Sequence, residues 1–305
     1  MPPTPEKPST PWRHGFFKTQ LPQLSFGQTY EDSAIELQAF GPRSRIFCIA
    51  GAGYTARALA AAGHHVTAVD INPVQLSYAQ SRAAGGQLRK GIAERLLALG
   101  RNLAKFAGWS RGKVADFLNL SDPAEQVEYW DRRLDTQAWR IAVDTLLTPR
   151  LLSICYASPF IESLPKDFGP RLRQRLRRTW ATHSNRSNPY AASLLLGRPP
   201  AEPNTSESQI QFVCADAADF LESCPSSVFD GFSLSNIGDG VSPDYLRRLR
   251  IAVDQAAAPH AIVVTRTFAE PGPSLGTNWA QLDRSLLWGV VEVGRTAGGK
   301  SCCTC

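Results

Sequence analysis

The sequence has no long hydrophobic run: nothing in it reaches the roughly 18–20 consecutive apolar residues that a membrane-crossing helix needs. It is also poor in the groups that usually announce metal or redox chemistry. Its five histidines (His14, His64, His65, His183, His260) include none that stands where a catalytic base is wanted, and His65 reads as the structural start of a strand. Seven cysteines make an odd number, which argues against a complete disulfide framework. Cys48 and Cys214 fall in predicted strands, where thiols act as small apolar groups. Cys302, Cys303 and Cys305 crowd the C-terminus without a histidine beside them, so no metal is expected there. A secretory leader is missing as well; Pro2, Pro3, Pro5, Pro8 and Pro11 make the first residues an extended, polar segment. These absences point to a reducing, cytoplasmic setting. What remains is an ordinary globular composition, 43% hydrophobic and 20% charged, with a net charge of +6 that suits anionic partners or plain solubility.

The rest of the chain is organised around Arg45 to Leu76. An apolar run, Ile46 to Ala50, enters a glycine turn at Gly51-Ala52-Gly53; a helical segment follows from Tyr54, Gly63 breaks it, and a second apolar run, Val66 to Val69, ends on Asp70. That is strand, glycine turn, helix, strand and acid, the first half of a nucleotide-binding α/β sheet. Glycines let a ligand approach the backbone, the helix start offers free N–H donors, and a carboxylate at Asp70 can accept from both hydroxyls of a ribose. The third glycine of a dinucleotide fingerprint is absent. An adenosyl ligand without a pyrophosphate is therefore favoured, S-adenosylmethionine above all.

Asn72-Pro73 opens the next helix, which Gly85-Gly86 stops. From about Leu88 to Pro203 the pattern is helical: Gly91 to Phe106, then a helix capped by Asp122-Pro123 that carries its apolar side through Val127, Trp130, Leu134, Ile141 and Leu146. Arg171 to Trp180 is a basic amphipathic helix that could meet an anionic membrane face or a phosphate, or simply bury its leucines. Strand-helix alternation resumes with Ile210 to Cys214, Val228 to Leu234, a helix from Pro243 to Ala258, a strand from Ala261 to Phe268 and an edge strand within Leu286 to Val293. The expected architecture is α/β: a Rossmann-like, doubly wound sheet with a helical insertion of about 115 residues. Its divisions are a leader (1–24), the first half of the core (25–87), the insertion as acceptor cap (88–207), the second half (208–295) and a tail (296–305).

Ligands of such sheets bind beyond the carboxyl ends of the strands. The residues there include Ala50, Gly51 and Gly53 for the methionine portion and Asp70 with Ile71 and Asn72 for the ribose. Asp216 and Ala217 suit the adenine; Ser235, Asn236 and Arg266 complete the edge. Several motifs together, S-F-G-Q-T-Y-E-D (25–32), C-I-A-G-A-G (48–53), A-V-D-I-N-P-V-Q-L (68–76), E-Y-W-D (128–131), S-N-P-Y (187–190) and S-L-S-N-I-G-D-G (233–240), resemble one family. It is the S-adenosylmethionine 3-amino-3-carboxypropyltransferases related to the diacylglycerol enzyme of betaine-lipid synthesis and to isonocardicin synthase. The resemblance runs from Phe26 to about Pro271, and Tyr30 stands where the lipid enzymes usually carry Trp.

The resemblance implies a class I S-adenosylmethionine-dependent transferase fold and a transfer from the γ-carbon of the methionine arm to an acceptor hydroxyl, releasing 5′-methylthioadenosine. Gln28, Tyr30, Glu31 and Asp32 would then fold over that arm. Asp239 is the first candidate base, with Glu31 or Asp32 behind it. Trp130, Asn188, Tyr190 and Arg266 are the acceptor-side candidates, for a lipid glycerol hydroxyl or a small phenol or alcohol. Two other readings share parts of this site: a methyltransferase on a small molecule or lipid, and a non-catalytic protein bound to a membrane surface through Arg171–Trp180. No basic groove interleaved with aromatic residues is present, so nucleic acid is not an expected partner.

Overall fold

The computed structural model describes residues 16–19, 21–203, 209–272 and 276–296; most of the proline-rich leader and the cysteine-bearing tail lie outside them. Helix α1 (Ala34–Ala39) precedes strand β1 (Arg45–Ile49), and α2 (Tyr54–Ala61), β2 (His65–Asp70) and α3 (Pro73–Ala83) complete the first half of the core. After the insertion come β3 (Ile210–Cys214), α12 (Ala217–Ser223), β4 (Phe229–Ser233), α13 (Pro243–Ala256), β5 (Ala257–Thr267), β6 (Thr277–Asn278) and β7 (Val290–Arg295). The insertion holds α4 (Ile92–Phe106), α5 (Arg111–Leu118), α6 (Pro123–Tyr129), α7 (Gln137–Leu146), α8 (Pro149–Leu152), α9 (Ser158–Ser163), α10 (Phe168–Thr182) and α11 (Pro189–Leu196).

The seven strands form one sheet in the order β3-β2-β1-β4-β5-β7-β6. The first five run parallel, and β7 runs antiparallel to β5. This is a Rossmann-like, doubly wound α/β fold with a large helical insertion between α3 and β3. Alternation along β1 shows why both faces are covered. Ile46 and Cys48 join a core with α2 and α3 on one side, while Phe47 joins α12 and α13 on the other. Helix starts are marked by a polar residue followed by proline: Asn72, Asp122, Asn188 and Ser242 each accept backbone N–H bonds at the head of α3, α6, α11 and α13.

The insertion has its own core, in which Phe117, Trp130, Leu134 and Trp180 are fully enclosed. Several sequence expectations need revision here. The long helix from Asp122 breaks: α6 passes into a π-helical turn, Trp130–Leu134, and Thr136 caps a separate α7. Because the break resets the helical phase, Ile141 ends up 60% exposed instead of continuing the apolar side. Strand β5 starts at Ala257, ahead of the expected Ala261, through a register shift against β4. The expected edge strand begins late, at Val290, and is not the edge, since the short β6 lies outside it. Cys214 ends its strand exposed, unlike the buried Cys48. Among the described residues no helix is long and apolar enough to cross a membrane. In α10, Leu176 and Trp180 point into the insertion core and Arg173 and Arg177 pair with Asp144 and Asp131. A membrane contact through this helix would therefore have charge but little apolar surface to offer.

Candidate functional site

The glycine turn has the geometry that its residues imply. Gly51 and Gly53 take φ values of 48° and 76°, and the Gly53 N–H closes the turn on the Ala50 carbonyl at 2.7 Å. The two glycines differ in surroundings. A Cβ on Gly53 would press on Ala79 of α3, whereas one on Gly51 would meet nothing within 4 Å, so a ligand can come up to the backbone there.

Asp70, at the end of β2, accepts the Gly51 N–H at 3.2 Å through Oδ2 and the Asn72 N–H at 2.9 Å through Oδ1. Two backbone donors do not balance its burial, and the carboxyl is pushed up to about 7. A carboxylate so placed gains from further hydroxyl donors. Ile71 beside it is exposed, but the Asn72 side chain is spent on capping α3 and on the Gln23 carbonyl.

Residues 25–32 cross the carboxyl edge of the sheet as a roof, and each step is tied down. Gln75 of α3 accepts the Ser25 and Phe26 N–H groups and donates to both the Phe26 and Gly51 carbonyls. Gln28 donates to the Ser193 hydroxyl of α11 at 2.8 Å, linking the roof to the insertion. The Tyr30 hydroxyl donates to Glu94 of α4 at 2.7 Å; that carboxylate also accepts the Gly27 and Gly91 N–H groups. Burial and Glu94 push the Tyr30 phenol far up, so it serves as a donor. At the far end Ser235 donates to Glu31, and Asp32 binds Arg284 through both oxygens while accepting from Tyr190. The roof thus runs from the β1–β2 side to the β4–β5 side.

The acids at that far end differ. Burial pushes Glu31 up against the opposing pull of Arg266, which lies 3.8 Å away. Burial works on Asp32 too, but the hydrogen bonds and charge of Arg284 outweigh it and hold the carboxyl low. Asp32 is therefore a clamp. Asp239, after β4, accepts from the Thr267 hydroxyl, the Phe268 N–H and the Asn236 amide, yet burial still raises it. Ser235 between them holds a left-handed φ of 54°, a conformation costly for a non-glycine residue, which fixes its hydroxyl at the sheet edge.

Asp216 caps α12 with one oxygen and accepts the Tyr245 hydroxyl with the other at 2.8 Å; Ala217 is buried behind it. The four acceptor-side candidates are not gathered at an opening. Trp130 lies in the insertion core, Asn188 caps α11 and donates to the Arg284 carbonyl, and Tyr190 is held on Asp32. Arg266 is fully buried, forked onto Glu36 at 2.5 and 2.9 Å, with Asp283 at 3.6 Å. Gln75 belongs to the 68–76 motif but carries no assigned role there; Glu94, Ser193, Glu36, Thr267 and Arg284 are not among the sequence candidates, because their partners lie at a distance in sequence.

Among the described residues no group of three or more His, Cys, Asp or Glu side chains is disposed to hold a metal. No family model matches the sequence, and no curated protein matches it. Among solved structures, the chain is similar to the rRNA methyltransferase aviRa from Streptomyces viridochromogenes, at 14% identity over 86% of this chain and 82% of that one, with a TM-score of 0.34. The fold rests on the strand order itself.

Proposed function

We propose that this protein is an S-adenosylmethionine-dependent transferase that moves the 3-amino-3-carboxypropyl group to an acceptor hydroxyl and releases 5′-methylthioadenosine. The cofactor half of the reading is supported by the open Gly51 and the underused carboxylate of Asp70 at the ends of adjacent strands. A second support is charge. Among the described residues, Glu31, Asp32, Glu36 and Asp283 form their ion pairs with two guanidinium groups, Arg266 and Arg284. The sulfonium and ammonium charges of S-adenosylmethionine would offset that excess.

The observation that carries the choice of carbon is the roof. Residues 25–32 are fixed at both ends and in the middle, over the edge where the methionine arm would lie. An arm held by such a segment presents its γ-carbon along a set line, and in-line approach within ~3–3.5 Å is what makes displacement fast. The acceptor oxygen would form a bond to that carbon as the carbon–sulfur bond breaks, its electron pair leaving on a neutral thioether. The hydroxyl proton needs a base, and Asp239 and Glu31, both raised by burial, are better suited than the low Asp32.

Metabolites from cells expressing the parent and the Asp70→Ala variant test the proposal. A compound gaining the aminocarboxypropyl mass only with the parent supports it; a compound gaining a methyl group instead supports the methyltransferase reading.

A further inference from the structure

One face of α10 carries Arg171, Arg175 and Arg178, and with Gln174 they line a cleft of about 560 Å³. Glu270, Pro271, the segment from Thr277 to Leu282 and Gly289 complete its lining. The cleft sits at the carboxyl end of β5, since Glu270 follows that strand closely and β7, antiparallel to it, begins beside Gly289. It also neighbours the candidate base: Phe268 donates its N–H to Asp239 and accepts from Arg175 Nη2 at 2.8 Å.

The cations here are unevenly satisfied. Glu270, the one carboxylate lining the cleft, pairs with Arg175 at 2.7 Å and Arg171 at 3.5 Å, and Arg171 also binds Asp167. Arg178 has no ion pair among the described residues. One of its amino groups donates to the Trp288 carbonyl at 2.9 Å, and its Nε is buried with no partner. Burial and the charge of Arg175 lower the Arg178 guanidinium from its ordinary value, against the opposing pull of Asp283 and Glu270. The other amino group of Arg178 makes no hydrogen bond among the described residues and is the donor that an anion in the cleft can take. Against Glu270 and Asp167 the three guanidinium groups keep a positive excess, which suits an anion, and the planar fork of arginine matches phosphate oxygens.

We infer that this cleft binds a phosphate group, held mainly by Arg178 with the exposed amides of Gln174 and Gln281 around it. The phosphate belongs either to a soluble phosphate ester or to a lipid headgroup. That it marks the acceptor, with the hydroxyl turned toward Asp239, rests on the transfer proposed above; phosphate binding itself does not.

The test needs no S-adenosylmethionine, so its failure is distinct from failure of the transfer reading. One arm measures calorimetric binding of glycerol 3-phosphate. The other measures co-sedimentation with phosphatidylcholine vesicles with and without phosphatidic acid. The variants are Arg178→Gln and Gln174→Glu, the second on an exposed residue where folding is not at risk. Binding in either arm is expected, weakened roughly tenfold or more by each variant. Binding of glycerol 3-phosphate identifies a soluble ester, and binding to acidic vesicles alone identifies a headgroup. No binding in either arm, or binding that both variants leave intact, overturns the inference.

Discussion

Asp70 concentrates the consequences of burial in one side chain. In the proposed binding mode its carboxyl, raised to about 7, must be ionised to accept two ribose hydroxyls. Affinity for S-adenosylmethionine should therefore fall as pH drops through 7, approaching about tenfold per pH unit below it. Calorimetry across pH 5.5–8.5 measures this, and a flat profile would contradict it. Stability should run the other way. An acid whose folded pKa exceeds its ordinary 3.8 binds an extra proton in the native state between those values, so stability falls as pH rises from about 4 to 7, by up to roughly 1.4 kcal/mol per unit. Asp70→Asn should flatten the slope of stability against pH over that window while removing most of the binding; an unchanged slope in denaturant titrations would exclude Asp70 as the source. Asp239→Asn is expected to leave binding nearly intact and to slow turnover by about 10²–10⁴-fold, the usual contribution of a positioned base.

At the scale of elements, the roof is the part most dependent on contacts that are distant in sequence. Gln75 makes four hydrogen bonds that lash it to the glycine turn. Gln75→Ala should raise the KM for S-adenosylmethionine roughly tenfold, at about 1–1.5 kcal/mol for the lost bonds. It should also speed amide exchange at Ser25 and Phe26 while leaving the β1–β2 ladder protected. Equal exchange in parent and variant would detach the roof from α3. The sequence made the glycine turn and Asp70 readable because strand periodicity and turn chemistry are local. It made the roof recognisable as a motif but not as a span, because its anchors Ser193, Ser235 and Arg284 lie 165 to 252 residues away. Helix phase failed at Trp130–Leu134 for a different reason. A π-helical turn leaves the apolar pattern intact while rotating the next helix, α7, about its axis.

For the whole molecule, Arg266 joins the roof, α1 and the sheet. It was legible as a polar residue at the end of a strand, hence its assignment to the acceptor, but its burial depends on Glu36, which sits 230 residues earlier. Removing one partner of such a buried pair strands the other. Arg266→Ala should cost about 3–5 kcal/mol and lower the denaturation midpoint of the whole chain. A loss below about 1 kcal/mol would mean that the pair is not a structural hub. The insertion adds a separate aromatic core around Trp130 and Trp180, so Trp130→Ala should cost a similar ~3–5 kcal/mol without changing cofactor affinity in the folded fraction.

In the proposed transfer this cradle presents the γ-carbon of the methionine arm rather than the methyl. The direct measurement is the nucleoside product formed when the purified protein is incubated with S-adenosylmethionine and a cell extract as acceptor source, with the Asp70→Ala variant as control. The expected product is 5′-methylthioadenosine, dependent on extract and on Asp70. Accumulation of S-adenosylhomocysteine in its place would contradict the proposed transfer.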